Sequence, residues 1–144
     1  MFVKNAWYIA TRSDELTDKP LGRVLLGEPV VVYRRADGQP VAMEDRCCHR
    51  RAPLSLGKVE GDCLRCGYHG FLYDQQGSCV WMPGAGKIPP SAKVVAYPVR
   101  ERHGWLWVWM GEAARADAAA IPDLYYNHAP GWVSAGSYLP VATG

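Results

Sequence analysis

The chain has 144 residues, 49% of them apolar and 21% charged, which fits one globular domain able to bury a core without disulfide staples and excludes a disordered chain. Sixteen Lys and Arg against fourteen Asp and Glu leave a formal charge of +2, too little to argue for nucleic acid as a partner. No apolar run approaches the ~18 residues of a membrane helix, and Met1-Phe2-Val3-Lys4-Asn5 lacks the apolar core of a signal peptide, so the expectation is a cytoplasmic protein without a membrane partner.

Residues 6–10 form a short apolar stretch. Residues 24–26 and 29–33 are strand-like around Gly27-Glu28, and Asp37-Gly38 marks a hairpin turn before an apolar strand at 41–43. Residues 47–70 show little periodicity and are dense in Cys, His, Arg and Gly, so they are expected as loops. Residues 71–73 and 79–81 flank Asp74-Gln75-Gln76-Gly77, a second hairpin signal, and the Pro/Gly run at 83–90 excludes helix. Strands are expected at 94–99 and 105–110. In the latter, Trp105, Trp107 and Trp109 share one face and Leu106, Val108 and Met110 the other. Two apolar faces predict a central strand, and such a Trp stripe serves a core more often than a substrate pocket or an electron relay. Only residues 112–120, Ala-rich and stopped by Pro122, look helical. The tail 123–144 carries Tyr125, Tyr126, Trp132 and Tyr138 without a clear period.

Five cysteines cannot all pair with one another, and a reducing compartment turns attention to metal binding or catalysis. Cys47-Cys48-His49 is a C-x-H pair and Cys66-Gly67-Tyr68-His69 a C-x-x-H pair, with sixteen residues between them. Zinc could take two Cys and two His, but structural zinc loops usually pair like ligands. A Cys/His nucleophile needs one of each and leaves the second pair unexplained. A Rieske [2Fe–2S] centre needs two Cys on one iron and two His on the other, which two loops of one Cys and one His each supply. Cys48 reads as a thiol beside a ligand, Cys63 offers a weaker C-x-x-C with Cys66, and Cys79 reads as core. His103 is expected at the surface and His128 in a loop. Arg46, Arg50, Arg51 and Arg65 crowd the loops, either as a solvated rim or as a docking patch for an acidic redox partner or a neighbouring subunit.

The runs Cys47-Cys48-His49-Arg50-Arg51-Ala52-Pro53-Leu54-Ser55 and Cys66-Gly67-Tyr68-His69-Gly70 resemble the Rieske motif of aromatic-ring and O-demethylase-type oxygenases. Asn5-Ala6-Trp7-Tyr8 and the segment from Tyr97 to Gly111 are similar to the same group. The resemblance covers only the N-terminal part of such enzymes. It implies a mainly β, Rieske-type iron–sulfur domain, antiparallel sheets with two metal-binding loops, over residues 1–111. Residues 112–144 resemble the lead-in to a catalytic domain holding a mononuclear iron, for which no ligand set is found here. It further implies Cys47 and Cys66 on an inner iron and His49 and His69 on an outer one. Gly67 and Gly70 then let the backbone approach the [2Fe–2S] cluster, its expected cofactor. The expected function is one-electron transfer, within an aromatic-compound mono- or dioxygenase or O-demethylase. Its partners would be a reductase or ferredoxin donor and the catalytic domain of the same or a neighbouring subunit. A stand-alone Rieske ferredoxin and a zinc-binding structural module are the rivals. High-potential Rieske proteins resemble C-T-H-L-G-C and C-P-C-H-G-S, with a disulfide tying the loops. Ala52 and Tyr68 stand at those cysteine positions and Phe71 at the serine, with Tyr73 kept, so a potential near the low end of the Rieske range is expected.

Overall fold

The computed structural model describes residues 2–84 and 86–136; Tyr138 lies outside them. Three antiparallel sheets make up the fold. The middle layer has the order β2-β3-β4-β9, formed by β2 (Leu21–Leu25), β3 (Glu28–Arg34), β4 (Pro40–Glu44) and β9 (Ala96–Tyr97). In β3, Val30, Val31, Val32 and Tyr33 are all fully buried. By the period of two, Val30 and Val32 enter one core and Val31 and Tyr33 the opposite one. A short apolar run thus becomes a strand buried on both faces.

On one side lies the sheet β1-β11-β10, of β1 (Ala6–Arg12), β11 (Trp105–Met110) and β10 (Val99–Arg102). Strand β11 is central, as its two apolar faces predict. Leu106, Val108 and Met110 pack with Val30, Val32 and Ala42. Trp107 and Trp109 pack outward with Trp7 and Ile121. The Trp7 indole N–H donates to Asp117 O at 2.7 Å and that of Trp109 to Glu112 O at 2.9 Å. The stripe is core, with its polar edges satisfied.

On the other side lies the sheet β5-β6-β7-β8, of β5 (Lys58–Glu60), β6 (Cys63–Arg65), β7 (Leu72–Tyr73) and β8 (Cys79–Trp81). Between it and the middle layer, Val31, Tyr33, Val41 and Met43 meet Leu54, Leu64 and Tyr73 together with Cys47, Cys66 and Cys79. The two paired cysteines therefore stand on the roof of this core.

Three local expectations need correction. Residues 47–70 are not loop throughout: they hold a 3-10 turn at Leu54–Leu56 and the hairpin β5-β6, whose three-residue strands are too short to print a period. The strand expected at 94–99 is two strands, β9 and β10, parted at Pro98, which has no N–H for a ladder and turns the chain from one sheet to the next. Residues 112–120 form two 3-10 turns, Ala113–Arg115 and Ala118–Ala120, and no α-helix. The Asp117 side chain accepts from Ala119 N–H at 2.9 Å and restarts the chain as a cap, while Ala116 and Ile121 are drawn onto the tryptophans. Tertiary packing overrides alanine's helix propensity there.

Candidate metal centre

The two Cys/His segments fold alike. In the first, Cys47 N–H donates to Ala52 O and Arg51 N–H to Cys47 O, both at 2.8 Å. In the second, Cys66 N–H donates to Phe71 O at 2.8 Å and Gly70 N–H to Cys66 O at 3.1 Å. Each closure needs a left-handed residue four places after the cysteine. Gly70 takes it at φ +79° without strain, and Arg51 takes it at φ +57°. The chain thus makes the same tight reversal in both segments, although one spacing is C-x-H and the other C-x-x-H.

The two cysteines are buried, 3% and 2% exposed, and the two histidines are exposed. The imidazole centroids of His49 and His69 are 4.9 Å apart. Cys47 and Cys66 pack in the same core cluster, close enough for one thiol to act on the other. Burial pushes the Cys66 thiol up, against the Tyr68 and His69 backbone N–H groups that pull it down, and Cys47 adds a further push upward. Those two N–H groups are ready donors to a sulfur that has lost its proton. Of the four residues singled out in the sequence, the two sulfurs thus share one apolar floor and the two imidazoles lie against each other at the water side.

This donor set fits a two-iron cluster. Among the described residues, no three His, Cys, Asp or Glu gather around a single point as a metal-ion site. Each iron of a Rieske centre takes only two protein ligands, one like pair.

The remaining cysteines and histidines have surroundings of their own. Cys48 is exposed, Cys63 sits on β6, where burial first and then Asp74 push its thiol up, and Cys79 is buried with Sγ donating to Trp81 O at 3.3 Å. No cysteine is in a disulfide. His103, expected at the surface, is only 15% exposed in its side chain. Its Nε2 lies 3.2 Å from Asp123 Oδ1 without in-line hydrogen-bond geometry. The turn Tyr125–Asn127 covers it, with Asn127 Nδ2 donating to His103 O at 3.4 Å. His128 lies at the end of that turn, as a loop residue.

Sequence reasoning missed the groups that clamp the two loops. Asp45, 8% exposed, accepts from Ser55 N–H at 2.7 Å and Ser55 Oγ–H at 2.6 Å. It thus closes the first loop from both ends. Arg65 closes the second. Its Nη1 donates to Gly70 O at 2.8 Å, its Nε to Glu60 Oε2 at 2.7 Å, and its guanidinium lies 5.0 Å from the Trp81 ring centroid. Arg65 is therefore no solvated rim residue. Phe71 stacks on His49 at 4.9 Å and 4°, which limits the imidazole's tilt.

Arg65 first, then Lys58, holds the Glu60 carboxyl down at about 2. A lowered folded value means the pairing contributes fully above the unfolded range near ~4.3. It fades only as the pH falls through about 2. The Glu60 carboxyl shift, followed by NMR, is expected to stay at its ionised value through the ordinary glutamate range. A midpoint inside that range would remove the clamp.

Comparison with known proteins places the site in a family. The model for the Rieske [2Fe-2S] domain matches residues 6–98. A putative toluene-4-sulfonate monooxygenase system iron-sulfur subunit of Comamonas testosteroni is 50% identical over 139 residues, 96% of this chain and 40% of that protein. The oxygenase component of dicamba O-demethylase from Stenotrophomonas maltophilia is 45% identical over 95% of this chain and 41% of its own length. The crystal structure of dicamba monooxygenase bound to dicamba superposes with a TM-score of 0.86 at 45% identity, covering 90% of this chain and 39% of that one. The chain spans about two fifths of the length of these relatives. Among the described residues no helix is long and apolar enough to cross a membrane. Fold, paired loops and family match agree, and the chain belongs to the Rieske [2Fe-2S] domain family, whose cofactor is a [2Fe-2S] cluster.

Proposed function

We propose that this chain transfers one electron at a time, with Cys47 and Cys66 holding the inner iron and His49 and His69 the outer iron of its cluster. The observation that carries the reading is the split in exposure: both thiols buried, both imidazoles exposed and 4.9 Å apart. When bound, the cluster supplies a one-electron couple. The residues do the rest. The apolar floor of Leu54, Leu64 and Tyr73 keeps water from the sulfurs. The Tyr68 and His69 N–H groups offer hydrogen bonds that favour the more negative, reduced form. The exposed imidazoles give electrons a short way in and out.

Residues 1–111 form the Rieske domain, and residues 112–144 lead toward the catalytic domain of an aromatic-compound mono- or dioxygenase or O-demethylase. Support comes from relatives that are oxygenase components or iron–sulfur subunits of monooxygenase systems. A reductase or ferredoxin donates the electrons, and the acceptor is the catalytic domain of the same or a neighbouring subunit. Arg50 and Arg51, exposed and next after His49 in the chain, suit an acidic donor.

Anaerobic, dithionite-reduced protein is expected to give the rhombic EPR signal of a mixed nitrogen- and sulfur-ligated cluster, with about two irons and two sulfides per chain and a midpoint near −150 mV, the low end of the Rieske range. A colourless protein with stoichiometric zinc overturns the reading. A midpoint above roughly +100 mV overturns the low-potential assignment alone.

A further inference from the structure

The hydroxyl of Tyr73 stands between two sulfurs. It lies 3.1 Å from Cys47 Sγ and donates to Cys48 Sγ at 3.2 Å. Its oxygen also accepts from the Cys48 backbone N–H at 3.0 Å. A phenol has one proton. Cys47 as a ligand is a thiolate with no proton to offer, so it can only accept. Cys48 Sγ, reached at nearly the same distance, accepts as well. The proton given to one sulfur is withheld from the other.

We propose that Cys48 is a positioning residue that competes with Cys47 for the Tyr73 hydroxyl and so holds the reduction potential below the value the undivided hydrogen bond would give. This rests on the ligand assignment above. A donor aimed at a ligand sulfur stabilises the added electron and raises the potential. Drawing that donor aside lowers it. The geometry separates the two contacts Cys48 makes. Its backbone N–H anchors the tyrosine oxygen, and its side chain alone takes the proton. Cys48→Ala therefore removes the competitor and keeps the anchor. Cys48 is exposed and Cys47 buried, so the substitution changes a group at the rim and leaves the packed floor intact.

The test is an EPR-monitored redox titration of the iron-loaded full chain. Cys48→Ala is expected to raise the reduced-to-oxidised ratio about threefold at a fixed poise, ~28 mV at 59 mV per factor of ten for one electron. Cys48→Ser keeps an acceptor there and stays at or below the wild-type potential. Tyr73→Phe lowers the potential, and in that background Cys48→Ala shifts nothing. An equal rise in the Phe background, or no rise in the Tyr background, overturns the proposal while leaving the ligand set standing. Wild-type protein without iron and sulfide overturns both.

Discussion

The Cys66→Ala variant is expected to bind neither iron nor sulfide and to lose all visible absorption, while its three sheets still form. The inner iron takes two protein thiolates, and removing one leaves it held by Cys47 alone. Neither Cys63 nor Cys79 is placed to step in. Cys63 is on β6 with its own charged neighbours Asp62 and Asp74, and Cys79 is turned to the Trp81 carbonyl. The cost to the apo fold is small, because a buried cysteine packs as a small hydrophobe and the floor of Leu54, Leu64 and Tyr73 remains. Cys63→Ala and Cys79→Ala are the controls and should keep about two irons per chain. His69→Cys separates ligand identity from ligand number. It keeps four protein ligands and places a thiolate on the outer iron, so the potential should fall from the Rieske range toward the roughly −400 mV of all-cysteine plant-type clusters. Iron analysis and potentiometry read both effects. If Cys63→Ala empties the protein and His69→Ala does not, the site is the Cys63-x-x-Cys66 pair and the four-residue assignment falls.

What could be read in the sequence followed from how directly a property is written along the chain. The four ligand candidates were legible because each pair lies within four residues. A local pattern suffices to name them, whatever the fold does with the sixteen residues between. Strands β3 and β11 were legible because apolar runs of this length permit few other placements. The clamps were not. Asp45 reads as one acid in Glu44-Asp45-Arg46, and nothing local says that its carboxylate reaches Ser55. Arg65 reads as one of four basic residues near the loops, and only the fold shows it aimed at Gly70 and Glu60. The helix expected at 112–120 failed for a related reason. Propensity was visible, but the tryptophan surface that claims Ala116 and Ile121 comes from strands that lie far apart in the chain, and from a face that alternation alone leaves unpartnered.

The loops have no covalent tie, and the contact that joins them carries the second large effect. Gly57 ends the turn Leu54–Leu56, its N–H donating to Leu54 O at 2.9 Å. A methyl group added there would run into the carbonyl oxygen of Arg65 and lie 3.0 Å from Leu54 O. One added at Gly67 would lie 2.9 Å from Leu56 O and 3.6 Å from the Gly57 Cα. The first loop's exit and the second loop's floor thus meet backbone to backbone, at a distance only glycine permits. Neither side can yield by rotating a side chain. Arg65 is held in register opposite Lys58, and its side chain is fixed to Gly70. Overpacking a rigid site costs about 1–3 kcal/mol and occasionally more, and the backbone obstacle places Gly57→Ala at the upper end. At roughly 2–4 °C per kcal/mol for a chain of this size, Tm should fall by about 10 °C. Gly86→Ala, whose methyl meets nothing within 4 Å, is the control and should leave Tm within about 2 °C, since surface substitutions away from such features are worth ~0.5 kcal/mol or less. The damage should also reach the cluster. Spreading the turn from β6 moves the Cys66 loop against the Cys47 loop, so iron should pass to a chelator faster in Gly57→Ala at temperatures well below its Tm. A variant that melts like wild type would mean that the Arg65 carbonyl shifts freely. The register of the two loops would then rest on the Tyr73 bridge from β7 to Cys47 and Cys48, and not on this contact.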